Sequence, residues 1–480
     1  MPSLLPNLRK SLPLSLLFVG SLTVTLASLT ALLVTFSSLP PEVPLLFTAG
    51  EALTAKPFLF LIPLLALLFL AVDAFFTDQL LGKAEPAAAI FPSFLASFVG
   101  LLLTFSLFRI VKLFPTASLP FEEIFYPLLA PFILAVALAL LATFATVKVA
   151  TRLHLFDKPH GPYPQVRPIP RLGAIPLYLT FAAVSLAFLP LDKHLLALLL
   201  GGALITLIQS IDDLRPIPFW IQGGGHLLAA LVLVLGGVGI EYIRNPLFPW
   251  VGEKLIFLNR WEIPFLWQGI TYHFTVLADL FTVIWVFALI NIVDWLDGLD
   301  GLAAGVGVIT TLAIIIISVI FETPMTAFLG VILVGALFGI LPLNFFPAQI
   351  YLGGGAFLLG YLLAVLSIFS GAKTGTALLV LALPTIDAFY VIYRRIRRGR
   401  SPFLGDTTHL HHRLLAKGFS QPQIVFLEWG IITTLAVAAV LLEGFYKLLG
   451  VMAVFAGALL ANRWLLRRPV AKVPKKVEGG

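Results

Sequence analysis

The sequence predicts an all-α polytopic membrane protein with about fourteen transmembrane helices. Three observations carry that expectation. Hydrophobic residues make up 59% of the 480 and charged residues only 11%, against about 25% charged in soluble domains, which is too little polarity to clothe a soluble surface of this size. Mean hydropathy is +1.02. The apolar residues also fall in runs of the roughly twenty that cross a bilayer as a helix. Cysteine is absent, which excludes disulfides, thiolate metal sites and a cysteine nucleophile.

Three spans come first, near 13–36, 57–76 and 88–108. The first is too long for the apolar region of a signal peptide, about 7–15 residues, so it reads as a retained helix. Eleven follow, near 124–147, 172–190, 194–211, 219–240, 274–293, 302–321, 325–345, 354–371, 374–393, 423–442 and 445–464. The chain thus divides into a three-helix segment over 1–120, an eleven-helix core over 121–465 and a basic tail over 466–480. The tail suits contact with anionic lipid.

Lys and Arg set the orientation. With the N-terminus inside, most of the 31 basic residues fall on the inner side, among them Arg9, Lys10, Lys83, Lys148, Arg152, Arg171, Arg215, the cluster from Arg394 to Lys417 and the tail. Both termini are then cytoplasmic in a multi-pass protein of the plasma (inner) membrane. One substantial segment faces outward, 243–272, rich in Pro and aromatics with short β-like runs such as KLIFL. It reads as an interfacial connector with a small external β-hairpin-like segment.

Carboxylates at the membrane edge are costly and mark function. Three polar clusters fall on the same inner face: Asp212-Asp213; the run N-I-V-D-W-L-D-G-L-D-G with Asn291, Asp294, Asp297 and Asp300; and G-D-T-T-H-L-H-H-R with Asp406, His409, His411, His412 and Arg413. Asn291, Asp294 and Asp297 are three apart and share one side of a helix, which Gly298 and Gly301 bring to an end. Oxygen donors in that pattern suit Mg2+ completed by water and substrate phosphate. The histidines lack the spacing of a helical zinc site, and beside Arg413 they suit phosphate oxygens. Together the clusters imply metal-dependent phosphoryl-type transfer between a soluble diphosphate and a lipid. Asp279, His226 and Glu428 read as packing or interface residues.

Six stretches then resemble one family, the polyprenyl-phosphate N-acetylhexosamine-1-phosphate transferases, over residues 124–465. They are D-K-P-(10)-P-R-L-G from Asp157 to Gly173; I-D-D-L around Asp212; W-V-F-A-L-I-N-I-V-D-W-L-D-G-L-D-G-L-A from Trp285 to Ala303; N-F-F-P-A at 344–348 and P-T-I-D at 384–387; and R-G-R-S-P-F-L-G-D-T-T-H-L-H-H-R-L-L at 398–415. The resemblance implies attack by a polyprenyl phosphate on a UDP-sugar, yielding a polyprenyl-diphosphate sugar and UMP and starting a cell-envelope glycan. It implies Mg2+, with Mn2+ as an alternative, and a cytoplasmic active site in a membrane-lipid setting. No nucleic acid is expected, and a homodimer is compatible. Carried over residue by residue, Asp212, Asp213, Asp297 and His409 would be catalytic. Asn291, Asp300, Arg171, His411, His412, Arg413 and Asp406 would bind substrate, and Asp294 and Asp213 the metal.

The chain departs from the family pattern in three places. Pro162, Tyr163 and Gln165 stand where a basic pair and a His are expected, Gly354 replaces a metal-ligating Asp, and Asp294 replaces an Asn. One carboxylate is lost and one gained, so Asp294 is expected to compensate for Gly354. Two other functions compete: a protein that binds nucleotide-sugar or lipid phosphate without turnover, and a transporter. The second fits poorly, because the carboxylates sit at one face and not at the midplane.

Overall fold

Apolar runs punctuated by Gly and Pro become a helical bundle in the computed structural model. It describes residues 121–156, 168–245, 252–253, 255–267, 270–370, 374–399, 409–441 and 445–466. The first three expected spans, the Asp157–Arg167 stretch and Asp406 lie outside the described residues. Helices α1 (Phe121–Arg152), α2 (Ala174–Phe188), α3 (Lys193–Leu214) and α4 (Phe219–Leu235) come first. Four strands follow, β1 (Tyr242–Arg244), β2 (Leu255–Phe257), β3 (Glu262–Trp267) and β4 (Ile270–Thr275). Then come α5 (Val276–Leu296), α6 (Leu302–Ile320), α7 (Pro324–Asn344), α8 (Gly354–Phe369), α9 (Thr374–Val380), α10 (Ala382–Arg397), α11 (Leu410–Ala416), α12 (Gln421–Leu441) and α13 (Phe445–Leu466).

Each of the eleven expected core spans falls on helix. Six are long and apolar enough to cross a membrane, α1, α3, α5, α6, α7 and α12, with shorter apolar helices at α2, α4, α8 and part of α13. The span expected at 374–393 is two helices that meet at Leu381. Pro384 is the reason: it lacks an N–H and fits only the first turn of a new helix, where no donor is needed. The outward segment forms two antiparallel pairs, β1 with β2 and β3 with β4, the second running from Glu262 opposite Thr275 to Trp267 opposite Ile270. At its end Asp279 accepts the Thr275 N–H at 2.7 Å, closing the first turn of α5.

Helix α8 is the hub. It is buried on every side from Gly354 to Ser367, as an apolar helix without a polar face must be, and packs against α2, α3, α5 and α6. Polar side chains staple it: the Tyr361 hydroxyl donates to the Leu198 carbonyl of α3 at 3.0 Å, and the Trp285 indole of α5 to Ser367 Oγ at 3.1 Å. The Trp429 indole ties α12 to the Leu302 carbonyl at the head of α6, at 3.2 Å. Such bonds contribute about 0.6–2 kcal/mol each in a membrane. Threonines 143, 206, 282 and 311 return their hydroxyls to the carbonyl four residues back, which satisfies these buried donors within their own helices.

Candidate active site

One end of the bundle gathers the functional groups, because the C-terminal ends of α3, α5 and α7 meet the N-terminal ends of α4, α6, α8 and α12 there. The free N–H groups that open α8 face the acids. Gly354 N–H donates to Asp213 Oδ2 at 2.9 Å, and Gly353 N–H donates to the Asp297 carboxylate. A helix N-terminus favours negative charge in this way.

Arg171 is the counter-charge. Its Nε stands 3.4 Å from Asp213 Oδ1, with the Asp213 side chain 2% exposed and its own 41%. The same guanidinium attracts Asp294 and Asp297. Three expected site carboxylates therefore share one cation, and negative charge is in excess. Burial pushes the Asp297 carboxyl up to about 7; Arg171 and the Gly353 N–H pull it down, and Asp300 adds repulsion. Burial also raises Asp300, whose Oδ2 accepts the Ala348 N–H at 3.1 Å.

Asp212 is half committed elsewhere: its Oδ1 accepts the Ile217 N–H at 2.9 Å and the Gln222 amide at 2.8 Å, which fixes the turn into α4. Asn291 donates to the Phe287 carbonyl of its own helix at 2.7 Å. Gln421 opens α12 with its side-chain oxygen 3.4 Å from the Asp300 N–H.

The histidine cluster is organised by Asp387, on α10. Asp387 Oδ2 lies 2.9 Å from His409 Nδ1, and Oδ1 accepts Arg413 Nη2 at 3.0 Å. Both carboxylate oxygens also take the Leu410 N–H at 3.1 Å. The guanidinium of Arg413 covers the Tyr390 ring at 5.4 Å. Its Nη1 is buried and has no hydrogen-bond partner. The rings of His409 and His411 stack at 5.8 Å, and His412 lies 4.4 Å from His411. Burial holds His411 well below its ordinary range, with neighbouring positive charge adding to the effect, so its imidazole is neutral at pH 7.

The two halves join at Gly298. A β-carbon there would collide with the His411 ring, so only glycine lets the acidic turn and the imidazoles touch. Gly298→Ala is expected to cut transferase activity about tenfold and to lower the melting temperature by a few degrees, the usual effect of overpacking. Wild-type kinetics in that variant would show that the contact is incidental.

Among the described residues no three His, Asp or Glu side chains stand in metal-holding geometry. Mg2+ does not require that: one or two carboxylates completed by substrate phosphates suffice. The carboxylates grouped around Arg171 fit such an ion, with one or two of Asp213, Asp294 and Asp297 as the residues that would hold it. Asp387 had a sign in the sequence, the P-T-I-D stretch, but no role followed from it. Gln222 and Gln421 had none.

A carboxylate cluster able to take a cation, set against imidazoles and a buried guanidinium with a free donor, suits a phosphate diester caught between two partners. The class this defines is the membrane phosphotransferase. Residues 195–371 match the model of glycosyl transferase family 4. The chain is 35% identical over 329 residues to the decaprenyl-phosphate N-acetylglucosaminephosphotransferase of Mycobacterium leprae, covering 60% of this chain and 78% of that one. It is 32% identical over 329 residues to the enzyme of that name in Mycobacterium tuberculosis H37Rv, covering 60% and 76%. With the undecaprenyl-phosphate alpha-N-acetylglucosaminyl 1-phosphate transferase of Escherichia coli K12 the identity is 27% over 315 residues, covering 62% and 80%. The chain belongs to this family of polyprenyl-phosphate N-acetylglucosamine-1-phosphate transferases and is a membrane-bound phosphotransferase.

Proposed function

We propose that the chain moves an N-acetylhexosamine 1-phosphate, with N-acetylglucosamine the favoured sugar, from its UDP-sugar to a polyprenyl phosphate. The acceptor phosphate oxygen bonds to the sugar-bearing phosphorus as the bond to UMP breaks. The site faces the cytoplasm of the plasma membrane, in a fourteen-span chain with both termini inside, and the product starts a cell-envelope glycan. The observation that supports this reading is the junction at Gly298, where the acidic turn meets the His411 ring.

In this reading one or two of Asp213, Asp294 and Asp297 would hold Mg2+, which when bound neutralises the diphosphate. Asp212 stands beside the acceptor phosphate, and Asp300 and Asn291 line the nucleotide side with Gln421. His409 and His411 orient the diphosphate, while Arg413 directs its unused Nη1 at a phosphate oxygen. His412 adds to the imidazole side, and Arg171 offers its charge to the substrate phosphates from among the acids. Asp294 restores the carboxylate that Gly354 lacks, so the net charge of the metal site is kept.

A second reading, binding without turnover, draws on Pro162, Tyr163 and Gln165 in place of the basic pair and His, together with Gly354 in place of the Asp. The test is UMP release by the purified protein from a panel of UDP-N-acetylhexosamines with undecaprenyl phosphate and Mg2+. Release with one donor supports transfer. UDP-sugar binding without release from any donor favours the second reading.

Metal binding has its own signature. With its pKa near 7, Asp297 ionises at a cost to the folded state, so stability without cation falls as pH rises through that value. A bound cation offsets the cost. The rise in melting temperature caused by Mg2+ is therefore expected to be larger at pH 8 than at pH 6, and equal shifts at both would count against an Asp297 ligand.

A further inference from the structure

Glu428 lies in the apolar helix α12 and is 2% exposed. Its Oε1 has no hydrogen-bond partner. A buried carboxyl left so is costly unless it serves something. The group is not isolated in the packing, however. It lines a cavity of about 10 Å3 together with Asp387, His409, His411 and Trp295. That volume holds about one water, and three or four polar groups around it are what an ordered water needs.

The cavity lies behind the imidazoles. In front, His411 meets Gly298; on one flank, Asp387 fixes His409 Nδ1; Trp295 closes another, its ring 6.5 Å from that of His409. Leu296, Leu383, Pro384 and Leu410 complete the wall, and Glu428 is the polar side chain that α12 supplies to it. Its helix is already registered on the site by Gln421 at Asp300 and by Trp429 at Leu302, so the carboxyl is held at fixed depth.

We propose that Glu428 is a positioning residue for the transfer: through one water in this cavity it braces the His409–His411 pair against the acidic turn. The role rests on the transferase reading above. It gives Glu428 no contact with substrate. Removing its hydrogen-bonding capacity lets the imidazoles drift from the diphosphate, while the acceptor side, built on α3 and α8, is untouched.

The test compares full-length wild type, Glu428→Gln and Glu428→Leu. Steady-state UMP release is measured against UDP-N-acetylglucosamine and undecaprenyl phosphate, with melting temperature alongside. Glu428→Leu is expected to lose about tenfold or more in kcat/KM for the UDP-sugar, to keep the KM for undecaprenyl phosphate, and to melt no lower than wild type. Glu428→Gln, which keeps the hydrogen bond without the charge, is expected within about threefold of wild type. Leu at the wild-type rate overturns the proposal. So does equal loss in both variants with a matching fall in melting temperature, which marks a packing residue. Should wild type release no UMP with any donor, the transferase reading fails separately. UMP binding then decides the brace: weakening in Leu and rescue in Gln supports it, and equal binding in all three overturns it.

Discussion

Asp294→Asn is expected to lower Mg2+-dependent UMP release by about a hundredfold or more. Asp294 ends α5 one turn before Asp297 and shares the Arg171 field with Asp297 and Asp213. Loss of an oriented charge at a reacting phosphate typically costs about 10²–10³ in rate. Undiminished turnover in the variant would remove Asp294 from the metal site. The compensation argument makes a sharper demand. Restoring the family's carboxylate with Gly354→Asp should not rescue Asp294→Asn, because a β-carbon at Gly354 would stand 2.5 Å from Gln209 Cβ and 3.0 Å from Asp213 Oδ2. The space belongs to Gln209, whose amide is 2.7 Å from His226 Nε2. Adding Gln209→Gly, which removes the Cβ that blocks the site, is the combination expected to regain activity, measured in the same assay.

Asp387→Asn should be nearly as damaging, by another route. The Asp387 and Arg413 side chains are 13% and 14% exposed, so removing one charge strands the other away from water. Breaking a buried pair costs about 3–5 kcal/mol. A fall of several degrees in melting temperature and about a hundredfold in kcat is expected. The double variant Asp387→Asn, Arg413→Gln separates the two effects, since it removes both charges. It should recover most of the stability and none of the activity. If both return together, Asp387 supports only the fold.

What could be read from the sequence follows the range of the forces involved. Spans and acid clusters are local patterns: apolar runs of bilayer length, and carboxylates three apart at the end of one helix. These were legible, as was the histidine cluster beside Arg413, and the resemblance added their roles. Contacts between distant segments were not. Asp387 stands 22 residues from His409 and 26 from Arg413, and in the sequence it is one acid in an apolar run. His226 reads as a packing feature and is one, its ring 5.0 Å from that of Phe357. Glu428 reads the same way, and Asp387, His409 and His411 share its cavity with Leu296, Leu383, Pro384 and Leu410. The break at Leu381 was visible in principle, since Pro384 requires a helix start, but an apolar stretch of span length outweighed it.

The centrality of α8 has one more consequence. Its opening N–H groups hold the acids, and it is enclosed on all sides, so the carboxylate half of the site is anchored in the part of the fold that comes apart last. The imidazole half hangs on α10, α11 and α12, where Phe389, Tyr393 and Ile396 of α10 lie exposed. The two halves are thus fastened to different helices and meet at Gly298, at the Trp295–His409 ring contact and at the Gln421–Asp300 bond. A shift of α10 to α12 against α8 would part the carboxylates from the imidazoles and silence the enzyme without unfolding either set of helices.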